Sequence, residues 1–359
     1  MQKVIYIQLL LLPKGERYMR LMDDRYPMNY REEIVTQVMS DVQHGESLCL
    51  VGLAGVGKSN LARFLENPAV VRHYLPTSAA ERTHFRRIEF SAEIDTDHLY
   101  GAMSAALQDV AKRVGVPLPA KGSDEGAYTH LRSLLATFCD EHGQRIVFVI
   151  DEFEALLHTQ PPLFLQELRT LRDDHRTSRN VVFLLITHRM PELIRRQPLL
   201  QQGGKLFEII GQNIYALPPY SDADAQSMID ALATRREIDP LQLGAELRGM
   251  LLHLSGGHSG LLAGLFNEMH PTFKKSLHRL VQSVDRPGPL RLACENVWTH
   301  LHEEERDALK LMATGQDVNA VMVEFLCKRG LVRVQSTPLF FSPIFLEYVR
   351  NHAMPAATV

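Results

Sequence analysis

Residues 47 to 65 read SLCLVGLAGVGKSNLARFL: an apolar run, three glycines within six positions, a lysine, a serine, then a helical pattern. Ordered glycine is entropically costly, so such a cluster needs a conformational reason. The octet from Gly52 to Ser59 fits G-x-x-x-x-G-K-[ST]. That pattern arises by chance in roughly one chain in a hundred of this size. With a strand before it and a helix after it, the octet makes a cradle for phosphates. The backbone of Gly52, Ala54, Gly55, Val56 and Gly57 wraps closely around the anion, and the helix opening at Lys58, Ser59 and Asn60 presents its positive end. Lys58 then supplies a point charge to the β and γ phosphates, and the Ser59 hydroxyl is a Mg²⁺ ligand. A purely structural glycine turn is the competing account; the motif and its placement argue against it.

Five apolar runs read as buried strands: 47–52, 84–91, 145–151, 180–187 and 205–211. Helical spacing marks 30–43, 58–66, 97–114, 125–141 and 161–176. Strands alternating with helices predict an α/β fold with a parallel sheet covered on both faces. After residue 215 the strand signals stop. ALPPY (216–220) reads as a turn, 221–283 as helices broken at SGGHSG (255–260), and RPGP (286–289) as a linker. In 291–352 helices are followed by LVRVQ and PLFFS, two short strands about a turn, and a last helix. Helices closed by a small hairpin suggest a winged helix. The expected organisation is an N-terminal extension over 1–29, a P-loop domain over 30–215, an all-α lid over 216–290 and a winged helix over 291–359.

In RIVFVIDEFEAL, Asp151 and Glu152 follow an apolar run at a strand's carboxyl end, the edge where open α/β sheets bind ligands. Asp151 is expected to hold Mg²⁺ through water, and Glu152 to orient and deprotonate an attacking water. Alone, an acidic pair here is an ordinary helix N-cap; the P-loop upstream favours the chemical role. VVFLLITHRM ends a strand at Thr187, His188 and Arg189 on the same edge. A polar group there senses the terminal phosphate or places water, and Arg189 pairs with a phosphate oxygen; an ordinary strand end with a surface arginine is the alternative. LSGGHSGLL (254–262) opens a helix that either faces the nucleotide or is a helix–helix turn capped by Ser259. Arg195 or Arg196 is a candidate trans-acting arginine finger, with a solvated charge pair the simpler account.

The formal net charge of −3 gives no general attraction to nucleic acid. Within 291–359, seven lysines and arginines stand against eight acidic residues, and CKRGLVR (327–333) is the one local basic candidate. Cys49, Cys139, Cys294 and Cys327 lie far apart without a CxxC. That spacing suits neither a structural zinc nor a disulfide framework and fits a reducing cytoplasm. VIYIQLLLL (4–12) is too short to span a bilayer and reads as a strand or part of an extension.

The ordered set GLAGVGKS, VFVIDEFEAL, FLLITHR, YALPPYSDADAQSMIDAL, LSGGHSGLL and RGLVRV…FFSPIFLEYV covers roughly residues 30–352. It resembles the AAA+ P-loop ATPases of the STAND and origin-recognition type. The resemblance implies a five-stranded parallel core sheet in the order 5-1-4-3-2, a helical lid, a winged helix, and ATP or ADP with Mg²⁺. It also implies a sensor at Thr187 and Arg189, and nucleotide contact from a GG-H-P lid turn at Gly256, Gly257 and His258. Ser259 stands where that turn usually has proline. Many STAND proteins carry long C-terminal repeats that this sequence lacks, so its input or output partner is expected to be another chain.

The expected function is a slow, regulated ATPase acting as a conformational switch. It would signal by homo-oligomerisation on ATP or through a partner protein, with no membrane. One alternative is a DNA-binding loader or regulator of transposition or replication using the winged helix, which the charge balance disfavours. Another is a small-molecule phosphoryl transferase, for which separate lid and winged-helix domains are poor support. No base-reading motif separates ATP from GTP.

Overall fold

The computed structural model describes residues 26–89, 95–159, 163–174, 176–177, 179–191, 203–269, 281–334 and 337–353. The apolar stretch 4–12 and the pair Arg195 and Arg196 lie outside the described residues.

Strands β1 (Leu48–Gly52), β2 (Thr83–Ile88), β3 (Arg145–Ile150), β4 (Val181–Thr187) and β5 (Ile214–Leu217) form one parallel sheet in the order β2-β3-β4-β1-β5. Read from the other edge, this is the expected order of fifth, first, fourth, third, second. Every residue of β1, β3 and β4 is buried. They read as unbroken apolar runs because a parallel sheet covered on both faces shows neither side to water. Alternation along each strand then sorts the side chains. Leu48, Leu50, Val147, Val149 and Leu184 enter one core; Cys49, Val51, Ile146, Phe148 and Leu185 enter the other. Helices α1 (Glu32–His44) and α2 (Lys58–Leu65) pack in the first core, and α3 (Thr96–Val114), α4 (Ala127–Leu135) and α5 (Phe164–Asp173) in the second.

The run 205–211, expected as the fifth strand, is instead part of helix α6 (Gly203–Ile210). Leu206, Ile209 and Ile210 are buried while Glu208 is exposed. That spacing seats one helix face on the protein, and an apolar run this short does not separate strand from helix by itself. The edge strand follows as half-buried Ile214, Tyr215 and Ala216 with buried Leu217.

Downstream lie α7 (Asp222–Arg235), α8 (Ala245–Ser255), α9 (Ser259–Met269), α10 (Pro289–Thr299), α11 (Glu303–Ala313) and α12 (Ala320–Lys328). An antiparallel hairpin, β6 (Val332–Val334) and β7 (Pro338–Phe340), and α13 (Pro343–Tyr348) follow. Ser221 and Asn319 cap α7 and α12 with their side chains. Leu251, Leu262, Val297, Leu309 and Phe345 share one continuous core with Leu50 and Leu184, so these helices are packed onto the sheet layer. Gly256 sits at the tightest point (φ +59°): a Cβ there would lie 1.8 Å from the Phe341 carbonyl oxygen. The Ser342 hydroxyl donates to Leu254 O and Arg333 to Gly256 O, both at 2.6 Å, which pins the hairpin region to the α8–α9 turn. No helix among the described residues is long and apolar enough to cross a membrane.

Candidate nucleotide-binding site

β1 ends at Gly52 and α2 begins at Lys58. Gly55 (φ +75°) and Gly57 (φ +103°) occupy the left-handed region that side chains disfavour. Gly52 is needed for a different reason: a Cβ there would meet Val56 at 2.9 Å and Lys58 at 3.1 Å. Five successive carbonyls of this loop are tied by side chains. Lys58 Nζ donates to Gly52 O (3.0 Å) and Leu53 O (3.1 Å), and His258 Nε2 to Ala54 O (2.9 Å). Ser259 Oγ donates to Gly55 O (2.6 Å), and Arg31 Nη2 to Val56 O (2.7 Å). The opening amides of α2, which have no intrahelical acceptors, remain as donors for an anion.

The third Lys58 donor goes to His188 Nδ1 at 2.8 Å. Burial pulls the Lys58 pKa down to about 8, against the pull of Asp151 and Glu154. Because His188 Nδ1 accepts, the neutral ring carries its proton on Nε2. Burial first, then the charges of Lys58 and His300, hold His188 down to about 2. Ser59 Oγ donates to Asp151 Oδ2 at 2.7 Å, and Asp151 Oδ1 accepts from the Glu152 amide at 3.0 Å. Glu152 is exposed and has a left-handed backbone, φ +53°. Such strain costs a non-glycine residue on the order of 1 kcal/mol or more and gathers at functional sites.

These groups line a cavity of about 410 Å³. Gly55, Gly57, Lys58, Ser59 and Asn60 come from the loop, Asp151 and Glu152 from the end of β3, and His188 from the end of β4. Met228, Ser259 and Gly260 come from α7 and α9, and Asn296 and His300 from the end of α10. Lys58, Ser59, Asn60, Asp151 and Glu152 are thus brought together around one space. Gly52, Ala54 and Val56 form the loop behind that wall. Thr187 is fully buried and donates to Arg189 O at 2.9 Å, so the strand-end side chain lining the cavity is His188. Arg189 is half-buried, and its charge acts on Glu154 and His188.

His258, expected at the nucleotide, is fully buried behind the loop. Its Nε2 donates to Ala54 O and its Nδ1 accepts from the Leu261 amide at 3.3 Å. Gly257 (φ +79°) packs against Tyr220, whose carbonyl oxygen would lie 2.5 Å from an added Cβ. Ser259, in the position of the expected proline, both bonds the loop and lines the cavity.

Burial dominates the His258 environment and lowers its pKa to about 4, opposed by the Ala54 carbonyl. A folded pKa below the unfolded value of about 6.5 means that this contribution is complete above pH 6.5 and is lost as pH falls towards the folded pKa. The loss should reach at most about 3 kcal/mol. Chemical unfolding between about pH 7 and pH 4 measures it. The parent should weaken more steeply than His258→Gln, which keeps a donor for Ala54 O without titrating; parallel curves would reject the assignment.

Several site groups have no contiguous motif to announce them. Arg31 donates from its side chain to Pro218 O (2.7 Å) and Val56 O, from its amide to Asp224 Oδ1 (3.1 Å), and stacks 4.4 Å over Tyr220. It thereby ties the loop, the end of β5 and α7 together. Glu154 is the second glutamate of the DEFE run, whose spacing was the available signal. Burial raises its pKa, and its Oε1 accepts the His188 amide at 2.7 Å. Asn296 and His300 carry no sequence signal at all.

Residues 41–195 match the family profile described as AAA domain. The fold is similar to the Walker-type ATPase of Pyrococcus abyssi, at TM-score 0.57 and 15% identity over 89% of this chain and 95% of that one. The ORC2 protein of Aeropyrum pernix in its ADP form also matches, at TM-score 0.49 and 16% identity over 92% and 96%. A STAND protein with a tetratricopeptide repeat sensor from Pyrococcus horikoshii matches at TM-score 0.32 and 14% identity, over 87% of this chain and 41% of that one. No curated protein sequence matches significantly. At these identities structural likeness speaks for fold alone. Residues 41–195 match the AAA domain profile, and the chain has the fold of a P-loop ATPase.

Proposed function

We propose that this chain binds ATP with Mg²⁺ and hydrolyses it slowly, as a molecular switch whose lid and C-terminal region register the nucleotide. The observation that carries this reading is the convergence of Lys58, Ser59, Asp151 and Glu152 on one cavity, with the Ser59 hydroxyl 2.7 Å from the Asp151 carboxylate. That oxygen pair suits a hard cation whose remaining ligands are water and substrate oxygens. When bound, Mg²⁺ neutralises charge on the β and γ phosphate oxygens.

Ser59 and Asp151 hold the ion in this reading, while Lys58 and the opening amides of α2 fix the phosphates. Glu152, at the exposed rim, orients a water and takes its proton. Thr187 fixes the turn that carries His188 and the sensor candidate Arg189. His258 and Ser259 grip the loop carbonyls of Ala54 and Gly55, so a change in the loop on phosphate binding is felt directly by the lid.

The region from α10 to α13 is read as a winged helix that packs internally. Each cation of CKRGLVR has a partner in the chain: Lys328 with Glu324 (2.8 Å), Arg329 with Glu305 (2.8 Å) and Arg333 with Gly256 O (2.6 Å); of the three, Arg329 is buried and Lys328 and Arg333 are exposed. Binding to DNA by counterion release needs positive charge facing outward. The balance of seven basic against eight acidic residues over 291–359 favours a second copy of the chain or another protein as the reader of the switch.

Glu152→Gln tests the hydrolytic step. The variant should still bind ATP while phosphate release falls by about 10²- to 10⁴-fold. Bound nucleotide and released phosphate are measured on the same sample; parental turnover in the variant would clear Glu152 of the base role.

A further inference from the structure

The turn after β3 carries a second glutamate that no step of the proposed reaction uses. Glu154 stands in the first turn of the short helix Phe153–Thr159, close behind Asp151 and Glu152. Its Oε1 accepts the His188 amide at 2.7 Å. Its Oε2 is buried without a hydrogen-bond partner among the described residues. A carboxylate costs far more to take out of water than the neutral carbonyl that satisfies most backbone amides. Burial raises the Glu154 pKa, opposed first by the His188 amide and more weakly by the charges of Lys58 and Arg189. On Lys58 the pull of Glu154 comes second to that of Asp151 and ahead of that of Glu152. A buried acid kept at that cost beside the phosphate lysine needs a reason.

The sheet supplies one. β3 and β4 are parallel neighbours, and their pairing ends with Ile150 opposite Leu185. The turns that leave the two strands therefore run side by side at the ligand edge, past the end of the ladder. Glu154 spans that gap. Its carboxylate holds the backbone of His188, whose ring accepts from Lys58 Nζ at 2.8 Å and lines the cavity. Thr187 Oγ1 holds the carbonyl of Arg189 at 2.9 Å. The strand-end turn is thus fixed at its amide from the β3 side and at its carbonyl from β4.

We propose that Glu154 is a positioning residue for ATP hydrolysis. It locks the turn at 187–189 to the turn that bears Asp151 and Glu152, and so sets the distance between the His188–Lys58 pair and the water that Glu152 orients. This deepens the ATP reading and rests on it. The loop and the opening amides of α2 hold the phosphates without help from Glu154, so binding depends little on it. Turnover depends on it, because groups on two separate turns must keep one geometry. A displacement of about 1 Å between such groups can cost about a hundredfold in rate.

Phosphate release at saturating ATP and calorimetric titration with ADP, both with Mg²⁺, test the proposal on the parent, Glu154→Gln, Glu154→Asp and Glu154→Ala. Glu154→Gln keeps the reach to the His188 amide without the charge, whereas Glu154→Asp keeps the charge and is one methylene short. Turnover should fall by about ten- to a hundredfold in Glu154→Ala and Glu154→Asp, and stay within about threefold of the parent in Glu154→Gln. The Kd for ADP should stay within about twofold of the parent in all three. A merely structural role would lower the melting temperature and weaken ADP together with turnover. That joint loss, parental turnover in Glu154→Asp, or a Glu154→Gln variant as slow as Glu154→Ala overturns the proposal. A parent that neither binds ADP nor releases phosphate overturns the ATP reading, and this role with it.

Discussion

Lys58→Ala should weaken binding of ATP and ADP by at least about a hundredfold. Lys58 is 6% exposed and places its three donors on Gly52 O, Leu53 O and His188 Nδ1. Phosphate oxygens replace one or more of these neutral acceptors with anionic ones. Charge-assisted hydrogen bonds of that kind are worth roughly 1.5–3 kcal/mol each. Removing the amine also withdraws donors from two loop carbonyls, so a loss of affinity has a structural component to be separated. Lys58→Met does this, because it keeps the aliphatic stem that packs within 3.1 Å of the position a Gly52 Cβ would take. If Lys58→Met and Lys58→Ala both fold but lose nucleotide, the amine is the phosphate ligand. Undiminished affinity in either would end the phosphate-cradle assignment.

Glu305→Ala should destabilise the protein by about 3–5 kcal/mol. The side chains of Arg329 and Glu305 are 1% and 0% exposed and meet at 2.8 Å. Arg329 Nη1 has no hydrogen-bond partner among the described residues, so the pair is its main compensation. Deleting the acid leaves a guanidinium buried without its counter-charge and removes the Glu305 side chain from the His302 amide, a 2.7 Å contact. Losses on this scale are a large fraction of the roughly 5–15 kcal/mol that holds a domain together. The double replacement Glu305→Leu, Arg329→Met should recover most of the loss, because it fills the volume without a stranded charge. Urea midpoints for the single and double variants decide the matter. A single variant within about 1 kcal/mol of the parent would mean that Arg329 finds water or another partner.

The legible parts of the site are the contiguous ones. Lys58, Ser59, Asp151 and Glu152 meet at one cavity because each motif follows a fully buried strand, and a buried parallel strand is an unbroken apolar run that the sequence displays. The fifth strand was not legible. β5 has four residues and is half-buried at an edge, whereas α6 buries Leu206, Ile209 and Ile210 in a run that also suits a strand. The glycines of the α8–α9 turn announced a special conformation, and both are left-handed. Which side of the loop His258 would face depended on contacts with residues about two hundred positions away.

From the sequence alone came the glycine cradle, the acidic strand end and, through the ordered motifs, the order of the sheet. The first two follow from neighbouring residues: positive φ, helix-opening amides and the period of burial act over a few positions. Packing alone decided that Arg31 would clamp Val56, that Glu154 would hold His188, and that His300 would close the cavity from the far end of the chain. Those contacts depend on how one continuous core fits the downstream helices onto the sheet, and no local pattern encodes that fit.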